Sequence, residues 1–201
     1  MEINTYNKYT SLRYIPDAII NRLFENEIIW KLLKYPDTDA LLKNNLTLEE
    51  KQNLIYKGSV WDGSRWVLDD ATQRGVFRQP FLDDANDVAQ TMIRIYLSSI
   101  LPNNRVASTS YYTIELITHM KCIQIMSDLG EEEGQKSVTY ENRLEVLLQQ
   151  VLETLNGAEV GSVGRLFFDM DGGYKTKVEF GLYNNRNYCG IKLVVGCKVA
   201  D

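Results

Sequence analysis

This 201-residue sequence predicts an α+β fold: a mixed, mainly antiparallel sheet with one long amphipathic helix packed on it, plus an N-terminal helical extension. Three observations carry the prediction. Apolar residues in the first third recur at three- and four-residue spacing. Residues 90–125 alternate with a period of two. One clean helical stripe lies between strand-like segments near the C-terminus. The composition shifts divide the chain into a helical extension over 1–60, a Trp-containing loop over 61–82 and an α/β unit over 83–201.

The extension begins with Ile19, Ile20, Leu23, Phe24, Ile28, Leu32 and Leu33, which share one helical face. Pro16 suits the first turn, where its missing N–H costs nothing, and Tyr35-Pro36 ends the helix because proline disfavours the α conformation in the residue before it. Thr47 and Glu50 have capping-box spacing and open a second helix expected to run to Lys57-Gly58. From 58 to 80, Gly58, Gly63, Gly75, Pro80 and several Asp interrupt any period, so a long loop or short hairpin carrying Trp61 and Trp66 is expected.

Strands follow. In residues 90–100, Ile93, Ile95 and Leu97 take one face, and Met92, Arg94 and Tyr96 the other. Pro102-Asn103-Asn104 is a turn signal. Residues 110–125 return as an antiparallel strand, with Ile114, Leu116, Thr118 and Met120 opposite Thr113, Glu115, Ile117 and His119. A polar loop is expected over 127–139. The stripe Leu144, Leu147, Leu148, Val151, Leu152, Leu155 then defines the main helix, with Thr139 as expected N-cap and Gly157 as stop. Strands over 163–169, 174–183 and 188–199 complete the sheet, the last preceded by a turn from Asn184 to Asn187.

Composition narrows function by exclusion. At 44% hydrophobic and 24% charged residues, the chain has the make-up of a folded globular protein. A net charge of −5 argues against a surface that grips nucleic acid unspecifically. No apolar run reaches the ~18 residues of a membrane helix. The opening MEINTYNKYT lacks the basic and apolar regions of a signal peptide, and Cys122, Cys189 and Cys197 lack C-x-x-C spacing. Free thiols in a reducing compartment are therefore expected.

Catalytic patterns fail on position. Asp169-Met170-Asp171-Gly172 after an apolar run resembles the first motif of haloacid-dehalogenase phosphatases, in which the first Asp is a nucleophile and the second a general acid. That motif ends the first strand of a large doubly wound domain, whereas here 29 residues remain and they read as β. An EF-hand loop would place Tyr174 where glycine is needed and Phe180 where glutamate is needed. A hairpin turn accounts for the segment. His119, the sole histidine, sits within a strand and reads as structural, and a multi-histidine zinc site is excluded. Gly157, Gly161 and Gly164 follow a helix and precede a strand, the reverse of a phosphate-binding loop. No catalytic, cofactor-binding or metal-binding residue is assigned, and the chain is expected not to be an enzyme.

The second half, about residues 85–200, resembles the neck and tail-completion proteins of tailed bacteriophages, in particular the tail-terminator type. The resemblance rests on the ordered segments IRIYLSSILPNN, YYTIELITHMKC, ENRLEVLLQQVLETLNG, VGSVGRLFFD and YNNRNYCGIKLVVGC. It implies a virion protein, assembled in the bacterial cytoplasm, whose subunits form a ring, commonly a hexamer, at the head–tail junction. The ring would join tail tube to connector, and DNA would pass through without specific binding.

The Trp-containing loop lies outside the pattern of that resemblance, but its aromatic anchors Trp61, Trp66 and Phe77, with Asn184, Asn185 and Arg186, are the expected partner interface. Glu131, Glu132 and Glu133 are the expected DNA-facing lumen, where like charge prevents adhesion. The alternatives are an Asp-x-Asp metal-dependent phosphatase or other hydrolase, and a host-directed binding module using the Trp loop.

Overall fold

A computed structural model describes residues 12, 14–80, 88–102, 108–132, 135–160, 164–168, 179–182 and 187–199. Its helices are α1 (Ile15–Leu23), α2 (Glu27–Lys34), α3 (Leu48–Asn53) and α4 (Arg143–Leu155). Its strands are β1 (Ser59–Trp61), β2 (Trp66–Leu68), β3 (Val76–Phe77), β4 (Thr91–Pro102), β5 (Ser108–His119), β6 (Gln124–Glu132), β7 (Gln135–Asn142), β8 (Glu159–Val160), β9 (Gly164–Phe167), β10 (Glu179–Leu182) and β11 (Tyr188–Val199).

The fold is α+β. The main sheet runs β3-β4-β5-β11-β9-β8, with β10 also on β11. Among the described strands of this sheet β3–β4 pairs parallel and the others antiparallel, and an isolated parallel bridge joins Ile55 to Val76. β5 is the centre because both long neighbours pair along it, from Tyr188↔His119 to Val199↔Ser108 on one side and from Thr91↔Thr118 to Pro102↔Ser108 on the other. Period-two alternation then sends Ile93, Ile95, Tyr112, Ile114, Leu116, Ile191, Leu193 and Val195 into one apolar cluster with the helices. α4 supplies Leu144, Leu147, Val151 and Leu155 to that cluster. Each fully buried aliphatic side chain contributes about 1.5–3 kcal/mol.

The segment expected as an N-terminal extension enters the same cluster through Ile15, Ile19, Leu23, Ile29, Trp30 and Leu32. Its expected first helix is two. Asn26 breaks it, accepting a hydrogen bond from Ile28 N at 3.1 Å as the cap of α2, while its amide donates to Gln150 and Thr154 of α4 at 2.9 Å each. Apolar spacing runs through the break unaltered, so periodicity cannot reveal it. Trp30 stacks on Phe24 with ring centroids 4.6 Å apart and donates to Leu23 O at 2.8 Å, which seals the corner. The Thr47–Glu50 capping box forms as expected, although α3 stops at Asn53.

Other boundaries also move. The strand expected over 110–125 ends at His119, where a 3-10 turn over Met120–Cys122 intervenes. The expected polar loop over 127–139 is instead the β6–β7 hairpin, a separate two-stranded sheet. α4 is capped by Asn142, not Thr139, since Asn142 Oδ1 accepts from Leu144 N at 2.9 Å. Its stop at Gly157 is as expected, with φ at +75°. At Gly196 a Cβ would lie 2.3 Å from the Phe167 ring, so the β9–β11 contact requires glycine there or a displaced ring.

Arg143, at the start of α4, joins that helix to the end of α2 and to the 3-10 turn after β5. It is fully buried, and its guanidinium donates to Cys122 O, Leu32 O, Tyr35 O, Pro36 O and Asp37 O at 2.5–3.1 Å. Four of those carbonyls lie in or just after the last turn of α2, where helical carbonyls lack partners and a cation meets the negative end of the helix dipole. Burial pushes the Arg143 pKa down from its ordinary value. Among the described residues no helix is long and apolar enough to cross a membrane.

Candidate partner interface

The Trp-containing segment is a braced hairpin. β1 and β2 pair through Ser59↔Leu68, Val60↔Val67 and Trp61↔Trp66. Its turn is organised by Asp62, whose Oδ1 accepts from Ser64 N, Ser64 Oγ and Arg65 N at 2.8–2.9 Å. These donors, led by Arg65 N–H, hold the Asp62 carboxyl below its usual range. Gly63 takes φ +102°, which glycine reaches without a Cβ clash.

The base of the hairpin is tied down by a buried carboxylate. Asp69 accepts from Arg74 Nε and Nη2, the shortest contact being 2.6 Å, and from Lys57 N at 2.9 Å. Arg74 Nη1 also donates to Asn53 O at 2.6 Å. The Arg74 guanidinium holds the Asp69 carboxyl below its usual range, and Asp69 raises Arg74 in turn. Beneath lies a small second cluster of Ala71, Phe77, Met92, Ile117 and Tyr188, with Tyr56 against it.

The hairpin's exposed side is apolar, from the Trp pair beside the turn to Leu68 at the base. Trp61 is 55% exposed, Trp66 70% and Leu68 78%. The two indoles meet edge-on with centroids 5.8 Å apart. Such a contact adds about 0.5–1.5 kcal/mol beyond burial, enough to hold the rings in one arrangement but not to shield them from water. Two large exposed rings side by side on a braced hairpin are suited to fill a partner's pocket, as aromatic anchors do.

The remaining expected site residues fall elsewhere. Phe77 is a correction: it is fully buried in the second cluster because β3 pairs with β4 and carries it under the sheet. Asn184, Asn185 and Arg186 lie outside the described residues, as do Asp169 and Asp171. Glu131 and Glu132 lie at the far end of β6, registered with Lys136 and Gln135, while Glu133 is outside the described residues.

His119 is 7% exposed, accepts from Lys121 N at 3.1 Å and meets the Tyr188 ring edge-on. Burial holds its pKa below the ordinary value. That is the environment of a structural, neutral imidazole. All three cysteines are free thiols, and burial raises each, Cys197 to about 11. Among the described residues, no three His, Cys, Asp or Glu side chains converge to hold a metal ion.

Two features escaped sequence reasoning. One is the Arg143 clamp. A signal existed: Arg143 precedes Leu147, Val151 and Leu155 at four-residue steps, which puts it on the core face of α4. The other is the polar group on the sheet face away from the helices. There Tyr96 donates to Glu115 at 2.9 Å, and Arg94, 3.7 Å from Glu115, donates to Pro80 O at 3.0 Å. Burial and the Glu115 carboxylate push the Tyr96 phenol up to about 12, so it remains a donor.

A family model described as YomW matches residues 26–197 of this chain. No curated protein matches it.

Proposed function

We propose that this chain, which belongs to the YomW family, is a non-enzymatic structural subunit of a phage particle that works by docking onto neighbouring protein chains. The family name is of a phage-derived, Bacillus type, which points to a phage-associated protein. The observation that carries the structural role is the Trp61–Trp66 pair: exposed, mutually fixed, and mounted on a hairpin braced by the Asp69–Arg74 ion pair. Exposed indoles are costly to an isolated chain and useful to one that spends its working life in an interface.

The more specific reading is a ring at the head–tail junction, of tail-terminator or neck-connector type, joining tail tube to connector. The element order of the second half supports it. In that reading Glu131, Glu132 and Glu133 face a lumen through which DNA passes unbound. The test is electron microscopy of particles carrying tagged wild-type or Trp61→Ala/Trp66→Ala chains, with light scattering on the purified protein. Expected are a ring at the neck for wild type and its loss in the double variant. A tag found nowhere in the particle would overturn the structural reading. Stable one-to-one binding to a host protein would favour the host-directed module instead.

A further inference from the structure

The Trp hairpin is too small a surface to hold a partner by itself. Even buried whole, at about 150–250 Å² per aromatic side chain, its two indoles supply roughly 300–500 Å². A stable contact takes about 800 Å² from each partner. The surface that continues from the hairpin is a cleft, and Arg74 stands between the two. Arg74 ties down the hairpin base through Asp69, lines the cleft, and donates through Nη1 to Asn53 O in the cleft wall at 2.6 Å.

The cleft holds about 640 Å³, within the range of about 300–1,000 Å³ for sites that enclose a ligand. It lies between the end of α2, α3, the 3-10 turn at Ala71–Gln73 and the chain entering β4. Leu33 and Leu54, both buried, give it an apolar wall. Its polar groups are mostly donors in want of acceptors. Lys34, exposed in the last turn of α2, forms no ion pair among the described residues. Gln90 keeps its amide Nε2 out of solvent with no hydrogen-bond partner, so turning that amide toward an occupant breaks no bond at the nitrogen. Folded chains rarely leave a buried donor in that state. Arg74 engages three of its five N–H groups with Asp69 and Asn53. The carboxylate in the lining, Glu50, is already engaged, since its Oε2 accepts from Thr47 N at 2.9 Å and Thr47 Oγ1 at 3.1 Å.

We propose that this cleft takes an extended, acidic peptide segment of the same neighbouring chain that receives the Trp pair. This rests on the docking role proposed for the hairpin and names its second contact. The unengaged donors sit on three elements: Lys34 on α2, Arg74 after the 3-10 turn, and Gln90 at the entry to β4. An extended chain offers carbonyls at intervals along its length and suits donors set apart in this way, whereas a compact anion meets its donors at one point. Backbone carbonyls then accept from Gln90 and Arg74, a side chain covers Leu33 and Leu54, and a carboxylate meets Lys34. A weak contact suffices there, because docking of the Trp pair makes the second binding event intramolecular.

The test titrates N-acetyl-Ala-Glu-Ala-Ala-amide into the isotope-labelled full-length protein and follows it by proton–nitrogen NMR. Expected are saturable shifts of the Gln90 side-chain amide and the Thr91 backbone N–H, with the indole N–H signals of Trp61 and Trp66 unmoved. Binding should be at least about fivefold weaker for N-acetyl-Ala-Gln-Ala-Ala-amide, and for the Lys34→Ala protein, whose urea midpoint should equal that of wild type because Lys34 is exposed. No shift at Gln90 up to about 10 mM peptide, or equal binding of the glutamine peptide, overturns the proposal. Succinate shifting Gln90 as far as the peptide does would make this a site for small carboxylates and overturns the peptide segment. In particles, Lys34→Glu should lower incorporation of the chain by at least about tenfold. Normal incorporation of Lys34→Glu beside loss of the Trp61→Ala/Trp66→Ala chain overturns the cleft contact and leaves the hairpin standing.

Discussion

Arg143 and the Trp hairpin break the same rule in opposite directions. At Arg143 a charge lies where apolar groups belong, and at Trp61 and Trp66 apolar rings lie where charges belong. The first is settled inside the molecule. Five backbone carbonyls take the place of water, and the carbonyls at the end of α2 gain the donors they lack. The second is not settled inside the molecule. The hairpin that carries the Trp pair is braced at its base by Asp69–Arg74, while the indoles themselves stay 55% and 70% exposed. The lesson is that an oddity satisfied by the chain's own atoms reads as architecture, whereas one left open reads as a place for another chain.

That contrast can be broken most directly at Arg143. Arg143→Ala removes the donors of five carbonyls at a buried junction, so a loss of about 3–5 kcal/mol is expected in urea unfolding. Arg143→Lys, with fewer donors and no planar fork, should recover only part of it. A loss below about 1 kcal/mol would mean water replaces the guanidinium and the clamp is dispensable.

The hairpin should behave in reverse. Trp61→Ala and Trp66→Ala should leave the unfolding midpoint nearly unchanged, within about 1 kcal/mol, but weaken partner association by at least about 2 kcal/mol, some thirtyfold. If they unfold the protein instead, the rings serve its own core and the contrast fails.

Between these extremes stands Asp69, a buried charge that supports an exposed site. Asp69→Asn should cost about 1.5–3 kcal/mol by leaving Arg74 without its carboxylate. Asp69 also sets a pH signature. Its folded pKa lies below the unfolded value of about 3.9, so its contribution is complete above that value and is lost as pH falls through the folded pKa. The wild-type urea midpoint should therefore drop more steeply than that of Asp69→Asn below about pH 4. Parallel curves would remove Asp69 from the account. The smallest effect is expected at Thr47→Ala, about 1 kcal/mol, because only an exposed capping box is lost.

Local chemistry explains which features were legible. The capping box at Thr47–Glu50, the proline-terminated α2, the β4 and β5 alternation and the Gly157 stop each depend on neighbours within a few residues, and each stands in the structure as read. The break at Asn26 was hidden because the side chains that reward it, Gln150 and Thr154, lie far along the chain. The β6–β7 hairpin was hidden because its polar composition mimics a loop. Of the candidate interface, Trp61 and Trp66 were legible as aromatics in an aperiodic stretch. The burial of Phe77 was not, since only the parallel β3–β4 pairing puts it beneath the sheet.

By itself, then, the sequence determined the α+β class, the faces of the long strands, the apolar stripe of α4 and the caps, all consequences of side-chain period and backbone preference over a turn or two. Tertiary structure alone decided where the charge of Arg143 would be satisfied and which aromatics stay outside. Those depend on contacts between distant segments, and a burial or a hydrogen bond exists only once both partners are in place.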